Sequence, residues 1–303
     1  MGTYVVTGSA SGMGNETAER LRATGHAVIG VDIASPRFRH EHQRPALASM
    51  PQPLEVVADL STAQGRRSAA EGVMAACDGV LDGAVLAAGL GPVPGRDRLI
   101  AEVNYFGVVD LLTALRPALA RGDAAKVVVV GSNSTTTTPL APRRAVSALL
   151  AGDTAKALRA VRWFGKRSAP MIYAASKIAV SRWVRRQAVS PQWAGAGIRL
   201  NALAPGAIMT PLLAEQLANP AEAKAIRAFP VPIGGFGEPG RLADWMVFML
   251  SDAADFLCGS VVFVDGGSDA YFRADAWPAR VPARELARYG ARFLGYRRIM
   301  RSR

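Results

Sequence analysis

A chain of 303 residues, half of them apolar, holds enough hydrophobic matter for one large α/β core. No stretch approaches the ~18 uninterrupted apolar residues of a spanning helix. The N-terminus lacks the basic region, apolar segment and cleavage site of a secretory leader, so neither a membrane span nor export is expected. The net charge of +12 looks like a nucleic-acid signal until it is located: residues 271 to 303 carry nine arginines against Asp275 and Glu285, or +7, which leaves +5 for the other 270 residues. No nucleic acid is expected as a partner.

In chain order, seven β-rich runs stand at residues 3–7, 27–32, 54–59, 83–88, 126–131, 197–203 and 260–265, and helical segments fill most of the gaps. Such alternation is the pattern of parallel βαβ units joined by right-handed crossovers. The runs are mostly continuous Val, Ile, Leu and Ala, as strands covered on both faces should be. The expected fold class is α/β, a Rossmann-type doubly wound parallel sheet of seven strands.

Three stretches depart from that alternation. Between Ala34 and Pro53, four prolines interrupt any helical period and predict a loop. From Pro139 to Pro170, helix-like pieces near Arg143–Leu150 and Asp153–Phe164 form an insertion between strand five and the next long helix, expected above the carboxyl edge of the sheet. From Pro282 to Arg303, Leu286, Tyr289, Phe293, Tyr296 and Met300 recur at spacings of three and four among arginines, which predicts a basic amphipathic helix. The expected organisation is one domain over 1–268, with the insertion at 139–170, and an extension over 269–303.

Cys77 falls in a predicted helix and Cys258 just before the last strand, positions that suit two reduced core thiols in a cytoplasmic protein. His40 and His42 lack the further ligands that a metal requires, and no metal is expected.

Directly behind the first strand stands Thr7-Gly8-Ser9-Ala10-Ser11-Gly12-Met13-Gly14. A buried strand delivers the chain to a tight turn, small residues let the backbone approach a pyrophosphate, and the helix opening near Gly14 aims free N–H groups at the anion. Strand two ends in Asp32, ~20 residues beyond the glycines, where a carboxylate accepts hydrogen bonds from ribose hydroxyls and repels a 2′-phosphate. NAD is therefore favoured over NADP, although Arg37 and Arg39 follow closely. Strand three ends in Asp59-Leu60, and Asp59 reads equally well as an adenine ligand or as a helix N-cap.

Of the six tyrosines, only Tyr173 has a lysine, Lys177, four residues on. On a helix the two share a face, so the ammonium is expected to draw the phenol from ~10 toward neutrality. Beyond strand five, Gly131-Ser132-Asn133-Ser134 offers two serines on the same side of an extended chain, and period two does not choose between them.

With these motifs the chain resembles the short-chain dehydrogenase/reductase family over residues 1 to about 268. The family's TGxxxGxG stands at Thr7 to Gly14, its YxxxK at Tyr173 and Lys177, its helix-borne Asn at Asn104, its Pro-Gly at Pro205-Gly206 and its DGG at Asp265-Gly266-Gly267. The insertion, the run Ala88-Gly89-Leu90-Gly91-Pro92 and Asn104-Tyr105-Phe106-Gly107 look like the 3α-hydroxysteroid dehydrogenase/carbonyl reductase branch. One departure is Ala87-Ala88-Gly89 where the family has Asn-Ala-Gly.

The resemblance implies an NAD(H)-dependent oxidoreductase that interconverts a secondary alcohol and a ketone. In it, Ser132 rather than Ser134 joins Tyr173 in holding the substrate oxygen, Tyr173 carries the proton, Lys177 binds the nicotinamide ribose and tunes Tyr173, and Asn104 holds a relaying water. The implied cofactor set is Gly8, Ser11, Gly12, Met13 and Gly14 in the turn, then Asp32, Asp59, Leu60, Ala88 and Gly89 at the strand ends. Tyr173, Lys177, Pro205, Gly206, Ile208 and Thr210 surround the nicotinamide, with Ile208 and Thr210 on its carboxamide. A homodimer is also implied.

Leu140, Trp163, Met209, Leu212, Leu213 and Phe229 are expected at the mouth, and they predict a small-molecule ketone or alcohol that is bulky and apolar, such as a steroid. For the tail, with its segment 282–303, three readings stand, in falling order: docking on its own or a neighbouring subunit, resting on an anionic membrane, and contacting nucleic acid. The competing functional class is a non-catalytic NAD(H) sensor, which the intact Ser, Tyr, Lys and Asn set opposes.

Overall fold

The computed structural model describes residues 1–34, 54–276 and 281–301; the predicted loop after Ala34, with Arg37, Arg39, His40 and His42, lies outside them. All seven predicted strands form: β1 (Thr3–Thr7), β2 (Ala27–Asp32), β3 (Leu54–Val57), β4 (Gly83–Leu86), β5 (Lys126–Val130), β6 (Arg199–Pro205) and β7 (Val261–Val264). They make one sheet in the order β3-β2-β1-β4-β5-β6-β7. Every neighbouring pair is parallel. β3, β4, β5 and β7 stop one or two residues early, β7 also starts one residue late, and β6 lies two residues later than expected.

The helices, in chain order, are α1 (Gly12–Ala23), α2 (Ala63–Ala76), α3 (Asp97–Ala101), α4 (Gly107–Leu119), the short α5 (Ser134–Thr137), α6 (Arg143–Leu150), α7 (Thr154–Val161) and α8 (Ser168–Gln187). There follow α9 (Pro211–Ala218), α10 (Pro220–Arg227), α11 (Pro239–Leu250), α12 (Ser268–Arg273) and α13 (Leu286–Arg301).

Alternation along each strand divides the interior in two. Val5, Ala84 and Val127 face a core completed by Leu111, Leu115 and Val180 of α4 and α8. Their chain neighbours Val6, Val85 and Val128 face the opposite core, with Leu21 of α1 and Met246 of α11. Each such Val, Leu or Met side chain contributes about 1.5–3 kcal/mol on burial, which is why these strands tolerate no polar alternation. The carboxyl ends of all the strands open on one edge, where α/β sheets carry their ligands.

The insertion forms both expected helices but not in the expected place. α6 and α7 pack on each other and on α8, and α7 also meets α3, so that Ala145, Leu149, Ala157 and Val161 join the larger core beside Ile172. They extend the helical layer against α8, and none of their residues lines the cavities at the strand ends. Apolar periodicity fixed which face of each helix is buried, but not which neighbour buries it. Cys77 is buried as expected, whereas Cys258 is exposed and is no core thiol.

Candidate active site

The sequence delivers β1 straight into the glycine turn. Gly8 takes φ +72°, donates its N–H to the Val31 carbonyl at 2.8 Å, and lies so close to β4 that a Cβ there would sit 2.9 Å from the Ala88 nitrogen. A Cβ on Gly14 would overlap the carbonyl oxygen of Gly8. Ser11 occupies the N-cap of α1 in an extended conformation, and its side chain caps nothing. The first-turn N–H groups are therefore left for an anion.

At the end of β2, Asp32 is fixed from two sides: Oδ2 accepts from the Ala10 N–H at 3.0 Å and Oδ1 from the Ile33 N–H at 2.7 Å. Asp59 is not the N-cap of α2; Thr62 fills that role, accepting from the Gly65 N–H at 2.9 Å. Asp59 instead accepts from the Ser61 N–H at 2.9 Å and borders the trough.

That trough, of about 310 Å³, is lined by Gly8, Ser11, Gly12, Met13, Gly14, Asp32, Asp59, Leu60, Ala88 and Gly89 together. It also takes in Val31, Ile33, Ala58 and Val103, which sequence reasoning missed although all but Val103 adjoin a named strand end. A glycine cradle that no Cβ fits, an uncapped helix start and a carboxylate at the end of β2 suit the pyrophosphate and ribose of a nicotinamide dinucleotide.

A second cavity adjoins the trough, sharing Met13, Gly89, Leu90 and Thr210 with it, and brings Ser132, Tyr173, Lys177, Pro205, Gly206 and Ile208 together. Lys177 is buried, and its Nζ donates to the Val130 carbonyl at the end of β5 at 2.9 Å. Burial lowers its pKa from 10.5 to about 8. The Ser132 hydroxyl hydrogen-bonds Tyr173, and Ser132 Oγ also accepts from the Ser134 N–H at 3.1 Å. Ser134 Oγ is buried and unpartnered. Of the two serines, Ser132 is the one that meets the tyrosine.

The expected lowering of the Tyr173 phenol does not appear. Desolvation raises its pKa, and the Ser132 hydrogen bond opposes that rise. The spacing of four residues correctly put both groups on one face of α8, but the cost of burying an anion is invisible in spacing.

Asn104 lies in a π-helical turn, Glu102–Phe106, between α3 and α4. Its amide clasps the main chain of Leu90, accepting from the N–H at 2.8 Å and donating to the carbonyl at 2.9 Å. The side chain thus pins the segment after β4. The Ala88 N–H donates to Thr7 Oγ1 at 3.0 Å, a second tie between β1 and the chain beyond β4. Thr210 serves as N-cap of α9, accepting from the Leu213 N–H at 3.4 Å, and lines both cavities.

Beyond Ser132 and Tyr173 opens a chamber of about 460 Å³ with two unlike walls. Asn133, Ser134, Thr137 and Thr138 form one, and Leu213, Ile226 and Phe229 the other. Leu213 and Phe229 stand where they are expected. Leu140 and Trp163 are 69% and 81% exposed and do not line the chamber, and neither does Met209; the side chain of Leu212 lies outside the described residues.

α12 fastens both walls. Asp265 Oδ2 accepts from the Asp269 N–H at 2.8 Å and from Asn133 Nδ2 at 3.5 Å. Asp269 pairs with Arg273 through two contacts of 2.8 and 3.2 Å, and α12 packs on α5, which carries Thr136 and Thr137. On the other side Ser268 Oγ donates to the Pro230 carbonyl at 2.7 Å, and Phe272 packs on Phe229 with ring centres 5.7 Å apart. Asn133, Asp269 and Arg273 were not singled out in the sequence, where no spacing links residue 133 to 269.

A short chain dehydrogenase family model matches residues 3–142, and an enoyl-(acyl carrier protein) reductase model matches residues 154–269. The chain is 37% identical over 273 residues to a 3-alpha-hydroxysteroid dehydrogenase/carbonyl reductase of Comamonas testosteroni, covering 90% of this chain and 98% of that one. It is 32% identical over 275 residues to a cis-4-hydroxycyclohexanecarboxylate dehydrogenase of Sinomonas cyclohexanicum, with coverages of 88% and 96%. Among solved structures, the 3-alpha-hydroxysteroid dehydrogenase from Pseudomonas sp. B-0831 complexed with NADH matches with a TM-score of 0.78 and 42% identity, over 90% of this chain and 99% of that one.

Proposed function

This chain belongs to the short-chain dehydrogenase/reductase family, and on that premise we propose that it interconverts a secondary alcohol and a ketone on a bulky alicyclic substrate, with NAD(H) as cofactor. The observation that carries the reading is the meeting of Ser132, Tyr173 and Lys177 where the dinucleotide trough joins the two-walled chamber. A nicotinamide dinucleotide held by the trough and the adjoining cavity would supply or accept a hydride. Tyr173 gives its phenolic proton to the ketone oxygen, and Ser132 donates a hydrogen bond to the same oxygen. Negative charge grows there in the transition state, so two hydroxyls already in position favour that state over the neutral ketone. Lys177, when protonated, offsets the phenolate that proton donation leaves behind. Asn104 keeps the segment from Ala88 to Leu90 in place against the lysine.

NAD is preferred because the doubly held carboxylate of Asp32 faces the ribose position, where a 2′-phosphate would meet like charge. The apolar wall of Leu213, Ile226 and Phe229 suits a ring skeleton, and the polar wall suits a second oxygen on it. The two named relatives agree in acting on ring alcohols. The same reading takes residues 1–268 as the catalytic domain, with α12 straddling its boundary to the extension, and the enzyme as a cytoplasmic homodimer.

The test is NADH and NADPH oxidation against steroid, quinone and terpenoid ketones. We expect turnover of bulky cyclic ketones, with NADH preferred roughly tenfold or more. Binding of NADH with no turnover across the panel, and no effect of Tyr173→Phe, would identify a sensor instead.

A further inference from the structure

We infer that α13 is an interfacial anchor that lays its apolar stripe on an anionic lipid surface. The inference stands apart from the catalytic reading. Along α13, Leu286, Tyr289, Phe293, Tyr296 and Met300 alternate spacings of three and four, so they fall on one face. Nothing in the described body covers most of that face: Leu286 is 57% exposed, Tyr289 61%, Phe293 78% and Tyr296 63%. Met300 alone is half-buried, its methyl group beside Gly195. A helix held at one end, with four large apolar groups in water, lacks a partner for them.

Charge decides which partner fits. Residues 286 to 303 hold six arginines and no acid, and Arg288, Arg292 and Arg298 are exposed. Spacings of three and four are also those of a coiled coil, but pairing with a second copy requires opposite charges beside the seam. Within α13 the flanking positions in the sequence are Gly290, Arg292, Arg297 and Ile299, none of them acidic, so two copies would find no opposite charge beside the seam. Duplex nucleic acid would engage the arginines but offers no place for an apolar stripe. An anionic bilayer takes both, with the aliphatic and aromatic groups below the headgroups and guanidinium groups among the phosphates. Tyrosine, with an apolar ring and a polar tip, is suited to that depth.

The experiment is co-sedimentation of the full-length protein with vesicles of phosphatidylcholine alone and of phosphatidylcholine with phosphatidylglycerol. Binding is expected only to the anionic vesicles, reversed by high salt. Phe293→Ser should weaken it roughly tenfold, and the pair Arg288→Gln and Arg292→Gln by a similar factor or more. NADH binding should be unchanged in every variant, which shows that each still folds. Equal binding to neutral vesicles, or none to either, overturns the proposal. So does sedimentation equilibrium showing that Phe293→Ser splits an oligomer, or retention on an RNA column with no lipid binding.

Discussion

Tyr173 illustrates what residue spacing reveals and what it omits. The lysine one turn away and the glycine turn upstream picked out the proposed proton donor and its neighbour from the sequence. The balance at the phenol follows instead from desolvation, which raises its pKa against the Ser132 hydrogen bond. Tyr173→Phe should lower kcat by ~10²–10⁴ while leaving NADH affinity, followed by its fluorescence, unchanged. Ser132→Ala should cost ~10²–10³ in kcat, and Ser134→Ala far less, because only Ser132 reaches the phenol. Lys177 carries a stability signature as well. Below pH 8 its ammonium is protonated in both the folded and the unfolded chain, so its full desolvation cost counts against folding. Between about 8 and 10.5 the folded chain has lost a proton that the unfolded chain keeps, and that cost fades as pH rises. Lys177→Met should therefore be inactive, yet more resistant to denaturant by about 1–2 kcal/mol at pH 7 without cofactor, a gain that shrinks toward pH 10.5.

Among the elements, α12 joins the two walls of the chamber. It packs on α5 at the polar side, and its Phe272 backs Phe229 on the apolar side. Arg273→Ala frees the Asp269 carboxylate and should loosen both walls. The expected result is a severalfold higher KM for bulky ketones, with KM for NADH and the pH profile of kcat unaltered. A purely global loss of stability would move all three together. The π-helical turn serves the opposite side of the site. Arg66 is buried and reaches Glu102 at 3.2 Å, while Thr154 of α7 donates to the other Glu102 oxygen at 2.8 Å. The insertion is thereby tied to the turn that bears Asn104. None of these ties could be read in advance, since each joins residues through space with no periodic signature along the chain.

Over the whole molecule, legibility followed the strength of the repeating signal. Continuous apolar runs such as Val127 to Val130 can only be buried strands, so the sheet and the carboxyl edge that carries the ligands were apparent from composition and alternation. All ten residues expected in the glycine turn and along the neighbouring strand ends do share one trough. The position of α6 and α7, the exposure of Trp163 and the polar wall of the chamber were not apparent, because a helix's apolar stripe says that something covers it without saying what.

The bond between Asp265 and Asn133 has a temporal consequence. Ser132 emerges from synthesis long before the aspartates that secure its turn, and these lie at the very end of the sheet-forming chain. Most secondary structure can consolidate while the reactive centre is still slack, since contacts so distant in sequence close late. On dilution from denaturant, far-ultraviolet ellipticity should recover first and ketone reduction should lag behind it. A truncated product ending before Asp265 would be compact but catalytically silent.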